Sequence, residues 1–189
     1  NLQNQLTPVN GIAGEEYILD KRGNILESKP IGINNELAYG KLLSKFKYDN
    51  NNNIIELSLY GNNGAELNSE NVHKYEFIYN SRNQQIEVRR YGKSGVLTMG
   101  EYNWAIKKDE YDNKGNLCST RYFNTEQKPC MTNYDNGWSS TTYKYNAFGY
   151  MIKQCFFDAN GNPTDPKQMA PVGIAEYDKW GNITMVAAQ

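Results

Sequence analysis

Few residues in this 189-residue chain could do chemistry. His73 is the single histidine, and Cys118, Cys130 and Cys155 are the three thiols. A His–Cys nucleophile pair needs the base within hydrogen-bond reach of the sulfur. His73 precedes the aromatic run Tyr75 to Tyr79, and no family context for such a dyad is present, so it is expected at the surface or a strand edge and no catalysis is expected. One imidazole also excludes HExxH and every other two-histidine metal site. The spacing Asp158-x-Asn160-x-Asn162 offers alternating oxygens to calcium, but an EF-hand needs Gly sixth and Glu twelfth. Here Gly161 is fourth and Met169 twelfth. The segment therefore reads as an Asx-Gly turn, with no metal and no cofactor expected.

Recognition through aromatic rings is the stronger possibility, because the chain carries 15 Tyr, 6 Phe and 3 Trp. Tyr60, Tyr91 and Tyr122, with Phe123, Phe156 and Phe157, precede a recurring turn, and stacked at the repeat interval they would form a ladder for successive sugars. The same column can pack one unit on the next, and rings of this size dominate β cores. Trp104 and Trp138, with Tyr102, fall in segments of variable length. A loop tryptophan is costly to expose without purpose, so these make the expected ligand-binding surface. The expected partner is a glycan or a protein on a cell surface.

Charge excludes other partners. With 20 Lys+Arg against 21 Asp+Glu, a net charge of -1 and no basic block, the footprint of nucleic-acid binding is missing. Mean hydropathy is -0.78, and no apolar run approaches the roughly 18 residues of a membrane helix, so no membrane insertion is expected. Three cysteines are too few and too odd in number for a disulfide framework.

The elements that position these residues repeat. The pairs Leu19-Asp20, Tyr48-Asp49, Tyr79-Asn80, Tyr111-Asp112, Tyr145-Asn146 and Tyr177-Asp178 stand 29, 31, 32, 34 and 32 residues apart. Three residues beyond each Asp or Asn comes Gly23, Asn52, Asn83, Gly115, Gly149 or Gly181, the pattern of a type I turn released by a left-handed residue. A second turn recurs fifteen residues past that Asp or Asn, the anchor from which each unit is counted, at Asn35, Gly64, Gly95, Gln127 and Gly161. The arm between the turns is a strand in length. Tyr75, Phe77 and Tyr79 alternate with other residues before the first turn, which predicts one aromatic face. Glu27, Glu56, Glu87, Ser119 and Lys153 share one offset after it, which predicts a charged, wet face. The stretches Thr98 to Asp109, Thr132 to Thr142 and Thr164 to Gly173 read as loops or single helical turns. Lys107, Lys108 and Lys144 would protect sheet edges.

Tyr111-Asp112-Asn113-Lys114-Gly115-Asn116-Leu117 and Tyr177-Asp178-Lys179-Trp180-Gly181-Asn182-Ile183 resemble the YD repeat of bacterial RHS/YD-repeat proteins. Phe156 to Pro163 resembles the companion element of longer repeats of that kind. The resemblance implies repeats that are non-enzymatic, secreted or at the bacterial cell surface, and built from curved antiparallel sheet that can close into a shell around a toxin. The sequence thus predicts an all-β, repetitive antiparallel β-hairpin array of about six units, with a linker at residues 1–16 and one repeat domain at 17–189. The expected function is a non-catalytic binding or scaffold module, the alternative being a shell segment of a larger polymorphic toxin or adhesin.

Overall fold

The computed structural model describes residues 9, 11–133, 137–164 and 172–188. They form thirteen strands in one sheet and no helix. The strands are β1 (Gly14–Leu19), β2 (Ile25–Ile31), β3 (Leu43–Tyr48), β4 (Ile54–Gly61), β5 (Gly64–Ala65), β6 (Lys74–Tyr79) and β7 (Gln85–Tyr91). They continue with β8 (Ile106–Tyr111), β9 (Leu117–Phe123), β10 (Ser140–Tyr145), β11 (Met151–Phe157), β12 (Val172–Tyr177) and β13 (Ile183–Ala188). All pairings are antiparallel and follow chain order, with β5 folded back on β4. The result is the expected hairpin array: six long hairpins side by side, not closed into a barrel.

Each hairpin is closed in the same way. Asp112 shows the design. Its Oδ1 accepts the backbone N–H groups of Lys114 at 2.8 Å and Asn116 at 2.8 Å, and its Oδ2 accepts Asn116 Nδ2 at 2.9 Å. The Gly115 N–H returns to the Asp112 carbonyl, and Gly115 takes a φ of 93°. The same contacts recur at Asp20, Asp49 and Asp178, and the backbone part at Asn80 and Asn146. Beyond every first turn the register slips by one residue, leaving Leu26, Ile55, Ile86, Cys118, Ile152 and Thr184 as bulges.

The bulge explains the role of the anchor tyrosine. Within a hairpin, pairing runs from end to end, as from Lys74↔Tyr91 to Tyr79↔Gln85. Between hairpins it is confined to the half nearer the second turn, as at Glu87↔Lys108, Val88↔Lys107 and Arg89↔Ile106. The bulged half therefore lacks a backbone ladder to its neighbour. A tyrosine hydroxyl fills the gap. Tyr48 donates to the Ile25 carbonyl at 2.9 Å, Tyr79 to Ile54 at 2.9 Å, Tyr111 to Gln85 at 3.1 Å and Tyr177 to Met151 at 2.9 Å. Each strap reaches the residue five past the preceding anchor, so the motif both turns a hairpin and ties it to the one before.

The two faces follow from the pleat. One carries Phe46, Leu57, Leu59, Tyr75, Phe77 and Val88, by the register pairs Phe46↔Leu57, Leu57↔Tyr75 and Phe77↔Val88. The other carries a stripe of paired charges: Glu16–Lys29, Glu27–Lys45, Lys47–Glu56, Lys74–Glu76, Glu87 between Arg89 and Lys108, and Glu110–Arg121. The charged face is drier than its composition predicts, since cross-strand neighbours cover the Glu87 side chain to 12% exposure and Ser119 is buried.

Three expectations are corrected by this architecture. Lys107, Lys108 and Lys144 lie on the interior strands β8 and β10, and the outer strands are β1 and β13. β1 begins at Gly14, inside the segment 1–16 read as linker, because Ala13 and Gly14 already bond and pair with Ile31. Strands β8 and β10 begin at Ile106 and Ser140, within stretches read as loops or helical turns. Most of the stretch from Thr164 to Gly173 lies outside the described residues.

Candidate functional site

The connections between hairpins gather at the second-turn end, and the aromatic candidates gather with them. The second turns copy the first: Gly32, Gly92, Asn124 and Asp158 each accept the N–H of the residue three further on, and those residues are left-handed, Gln127 among them with a φ of 62°. Asp158 Oδ1 accepts the Asn160 and Asn162 N–H groups, each at 2.8 Å, while Oδ2 takes Asn162 Nδ2 at 3.1 Å. This carboxylate is fully engaged in its turn, as the Asx-Gly reading of the segment requires. The second unit differs. Gly61 and Gly64 close the short β4–β5 hairpin, and an additional Asx turn follows at Asn68, whose Oδ1 accepts the N–H groups of Glu70 and Val72 at 3.0 Å each.

That extra turn delivers Glu70 to a buried side-chain cluster around Arg90. Arg90, 3% exposed, donates from Nη2 to Glu70 Oε2 at 2.9 Å. The same oxygen accepts the Tyr75 hydroxyl at 3.0 Å, and that hydroxyl accepts Asn68 Nδ2 at 2.8 Å. The guanidinium lies 3.3 Å from the Trp104 ring centroid, with Tyr102 at 5.7 Å and Tyr75 at 6.0 Å. Arg90 Nε and Nη1 and Trp104 Nε1 have no hydrogen-bond acceptor. Ring faces compensate the cation there. Gly100 completes the enclosure at a φ of 62°, where a Cβ would stand 3.0 Å from both Arg90 Nη1 and the Glu70 carbonyl oxygen. Burial pushes the Tyr75 phenol up to about 12.

The sequence candidates divide accordingly. Trp104 is buried at 5% exposure and tilts against Tyr122 at 5.6 Å, so the expectation of an exposed loop tryptophan is corrected: the connection folds it over Arg90. Tyr102 is half-buried beside the same cation. Trp138 is half-buried with its ring edge-on to Phe156 at 5.2 Å. Tyr60 meets the His73 ring edge at 5.4 Å and lies under Lys45 at 5.4 Å. Tyr91 donates to Glu76 at 2.6 Å and sits under Lys74 at 4.3 Å.

These rings do not form one ladder. Tyr60 and Tyr91 share the charged face with Phe123 and Phe157, while Tyr122 and Phe156 lie on the apolar face with Leu59 and Arg90. Residues ten and eleven past the anchor necessarily point to opposite faces. On the apolar face Asp109, 6% exposed, is held by Lys107 at 2.7 Å and by the Thr120 hydroxyl at 2.7 Å. His73 Nδ1 lies 3.2 Å from the Glu66 carbonyl oxygen. The cysteines are all free thiols, and burial alone pushes Cys130 up to about 11.

Other rings are exposed: Tyr39 at 97% in the connection after β2, Tyr17 at 48% on β1, and two at one turn position. Phe148 and Trp180 stand two residues past Asn146 and Asp178, exposed at 79% and 74%. In the first four units that position is Arg22, Asn51, Arg82 or Lys114, and each reaches forward to the following turn. The periodic table of turns contained this signal, as a change from polar to aromatic at one offset.

No family model matches the chain, and no curated protein matches it. Solved structures do. The crystal structure of TcdB2-TccC3-Cdc42 is similar over 93% of this chain and 9% of its own, at 14% identity and a TM-score of 0.49. A Photorhabdus luminescens Tc holotoxin pore is similar over 91% of this chain and 9% of its own, at 16% identity and a TM-score of 0.42. TcdB2-TccC3 without its hypervariable C-terminal region is similar over 93% and 11%, at 12% identity and a TM-score of 0.44. The chain thus spans about a tenth of the length of the structures it matches.

Proposed function

We propose that this chain is a non-catalytic scaffold, a length of YD-like β-hairpin wall belonging to a secreted or cell-surface bacterial protein. The carrying observation is the use made of its recurring residues. Anchor tyrosines strap hairpin to hairpin, Asx side chains close turns, and Trp104 covers a buried cation. These recurring side chains are engaged in holding the units together. The partner such a wall takes is the protein it encloses or displays. The test is retention of the purified chain on bacterial cell-surface polysaccharide. A scaffold shows none beyond an inert matrix, whereas retention abolished by Trp138→Ala in a folded variant overturns this reading in favour of a glycan-binding module.

A further inference from the structure

The first-turn rim changes character between the fourth and fifth hairpins. We propose that its aromatic stretch, built by Phe148, Tyr150, Tyr177 and Trp180, docks a proline-rich segment of a partner protein in the polyproline II conformation. The inference goes beyond the scaffold reading, which concerns how the units hold one another.

Two turn offsets carry the change. Two residues past the anchor, Arg22, Asn51, Arg82 and Lys114 reach forward to the following turn, whereas Phe148 and Trp180 are exposed rings. Four past the anchor, Asn24, Asn53 and Gln84 also bond to the following turn, and Tyr150 takes that place in the fifth unit. Phe148 has a hairpin on each side of it, so its exposure belongs to the rim and not to an end of the row. Tyr150 joins the two units instead. Its ring lies 6.4 Å from Phe148 and stacks on Tyr177 at 5.0 Å, and its hydroxyl rests over Gly181, where a Cβ would strike it. Clustered, exposed rings of this kind mark the centre of an interface.

Spacing and hydrogen-bond chemistry choose the occupant. Equivalent residues of adjacent hairpins stand two strand spacings apart, roughly 9.6 Å, close enough at this rim for Asn53 Nδ2 to reach Asn83 Oδ1 of the next turn at 3.0 Å. One turn of polyproline II, three residues long, advances roughly 9.3 Å. Prolines three apart therefore meet Phe148 and Trp180 in succession, as such segments do on aromatic grooves. The side-chain oxygens that close the two turns, Asn146 Oδ1 and both of Asp178, already accept turn donors. The polar groups left among the rings can donate. They are the Tyr150 hydroxyl and Trp180 Nε1, which bond to no described residue, and the Lys179 ammonium, 4.3 Å from the Trp180 ring centroid. A proline-rich backbone offers carbonyl acceptors and lacks the N–H groups that would need acceptors in return. Sugar hydroxyls need both, which counts against a glycan at this rim.

The test titrates the full chain with decaproline and with a glycine–serine decapeptide, following the backbone amide resonances. Decaproline should bind at least about tenfold more tightly and shift amides in the β10–β11 and β12–β13 turns. Phe148→Asn and Trp180→Lys install residue types that this offset carries at Asn51 and Lys114, so the turns are kept. Each should weaken decaproline at least about fivefold, and together they should abolish its binding. Tyr150→Phe keeps the ring, removes one donor and should weaken it about threefold. Decaproline binding no tighter than the glycine–serine peptide overturns the proposal, as does tight binding that survives the double substitution. Chitohexaose binding there more tightly than decaproline would make the rim a sugar platform, and a homodimer that Trp180→Lys dissociates would make a second copy the occupant. Either result also overturns it. A failed peptide titration leaves the scaffold reading standing, because that reading is tested by polysaccharide retention and Trp138→Ala.

Discussion

The two ends of the hairpins solve the same problem differently. At the first-turn end, six units repeat one set of contacts: an Asx-closed turn, a left-handed fourth residue and, in four of the units, a tyrosine strap to the preceding hairpin. At the second-turn end the turn geometry persists, but the connections differ in length and fold over the sheet to make its driest region, around Val72, Trp104, Ala105 and Ile106. Repetition positions units, and individuality builds the core.

Trp104→Ala should break this comparison most severely. It uncovers a guanidinium that is 3% exposed and empties an indole-sized volume, and a loss of about 3–5 kcal/mol in denaturant unfolding is expected. A change below about 1 kcal/mol would show that the second-turn end is no core.

Acid separates the ends next. Side-chain hydrogen bonds from Asn24, Asn53, Asn116 and Asn182 hold Asp20, Asp49, Asp112 and Asp178 below the ordinary carboxylate range, Asp20 at about 2. Asp158 alone is held down in the same way at a second turn. The native state binds fewer protons than the unfolded chain, so this stability is complete above pH about 4 and is lost as pH falls toward about 2. Asp112→Asn keeps the turn, as Asn80 and Asn146 do naturally, and should make the acid limb shallower. An unchanged limb would exclude the turns as its cause.

Smaller effects sharpen the contrast. Tyr79→Phe removes one strap and should cost about 1 kcal/mol in thermal or denaturant unfolding. Gln127→Gly should instead stabilise by about 1 kcal/mol, because its φ of 62° penalises a side chain. Destabilisation there would mean that the Gln127 side chain holds the turn.

The periodic contacts were legible because each is chemically narrow. Asn52, Asn83 and Gly115 announced left-handed positions, and the alternation at Tyr75, Phe77 and Tyr79 announced the face. The extra turn at Asn68 carries the same signature, Asx first and Asn71 fourth, but stands off the repeat interval, so periodicity does not mark it. Arg90 escaped for a different reason. It occupies the offset of Leu59, Tyr122 and Phe156, and only tertiary contacts with Glu70 and three rings make a cation acceptable there. The connection that buries Trp104 has no period, so no repeat position marks that residue as covered. The aromatic column divides between the two faces, since residues ten and eleven past the anchor alternate across the pleat.

The central claim is that the molecule is a row of units, each held only by its neighbours, and strand contacts among the described residues run only between adjacent strands. Native-state hydrogen exchange tests it directly, because in such a row local opening propagates inward from the ends. Amides of β6 to β9 should exchange slowest, with protection falling stepwise toward β1–β2 and β12–β13. Uniform protection from β1 to β13, lost in one global transition, would contradict the account.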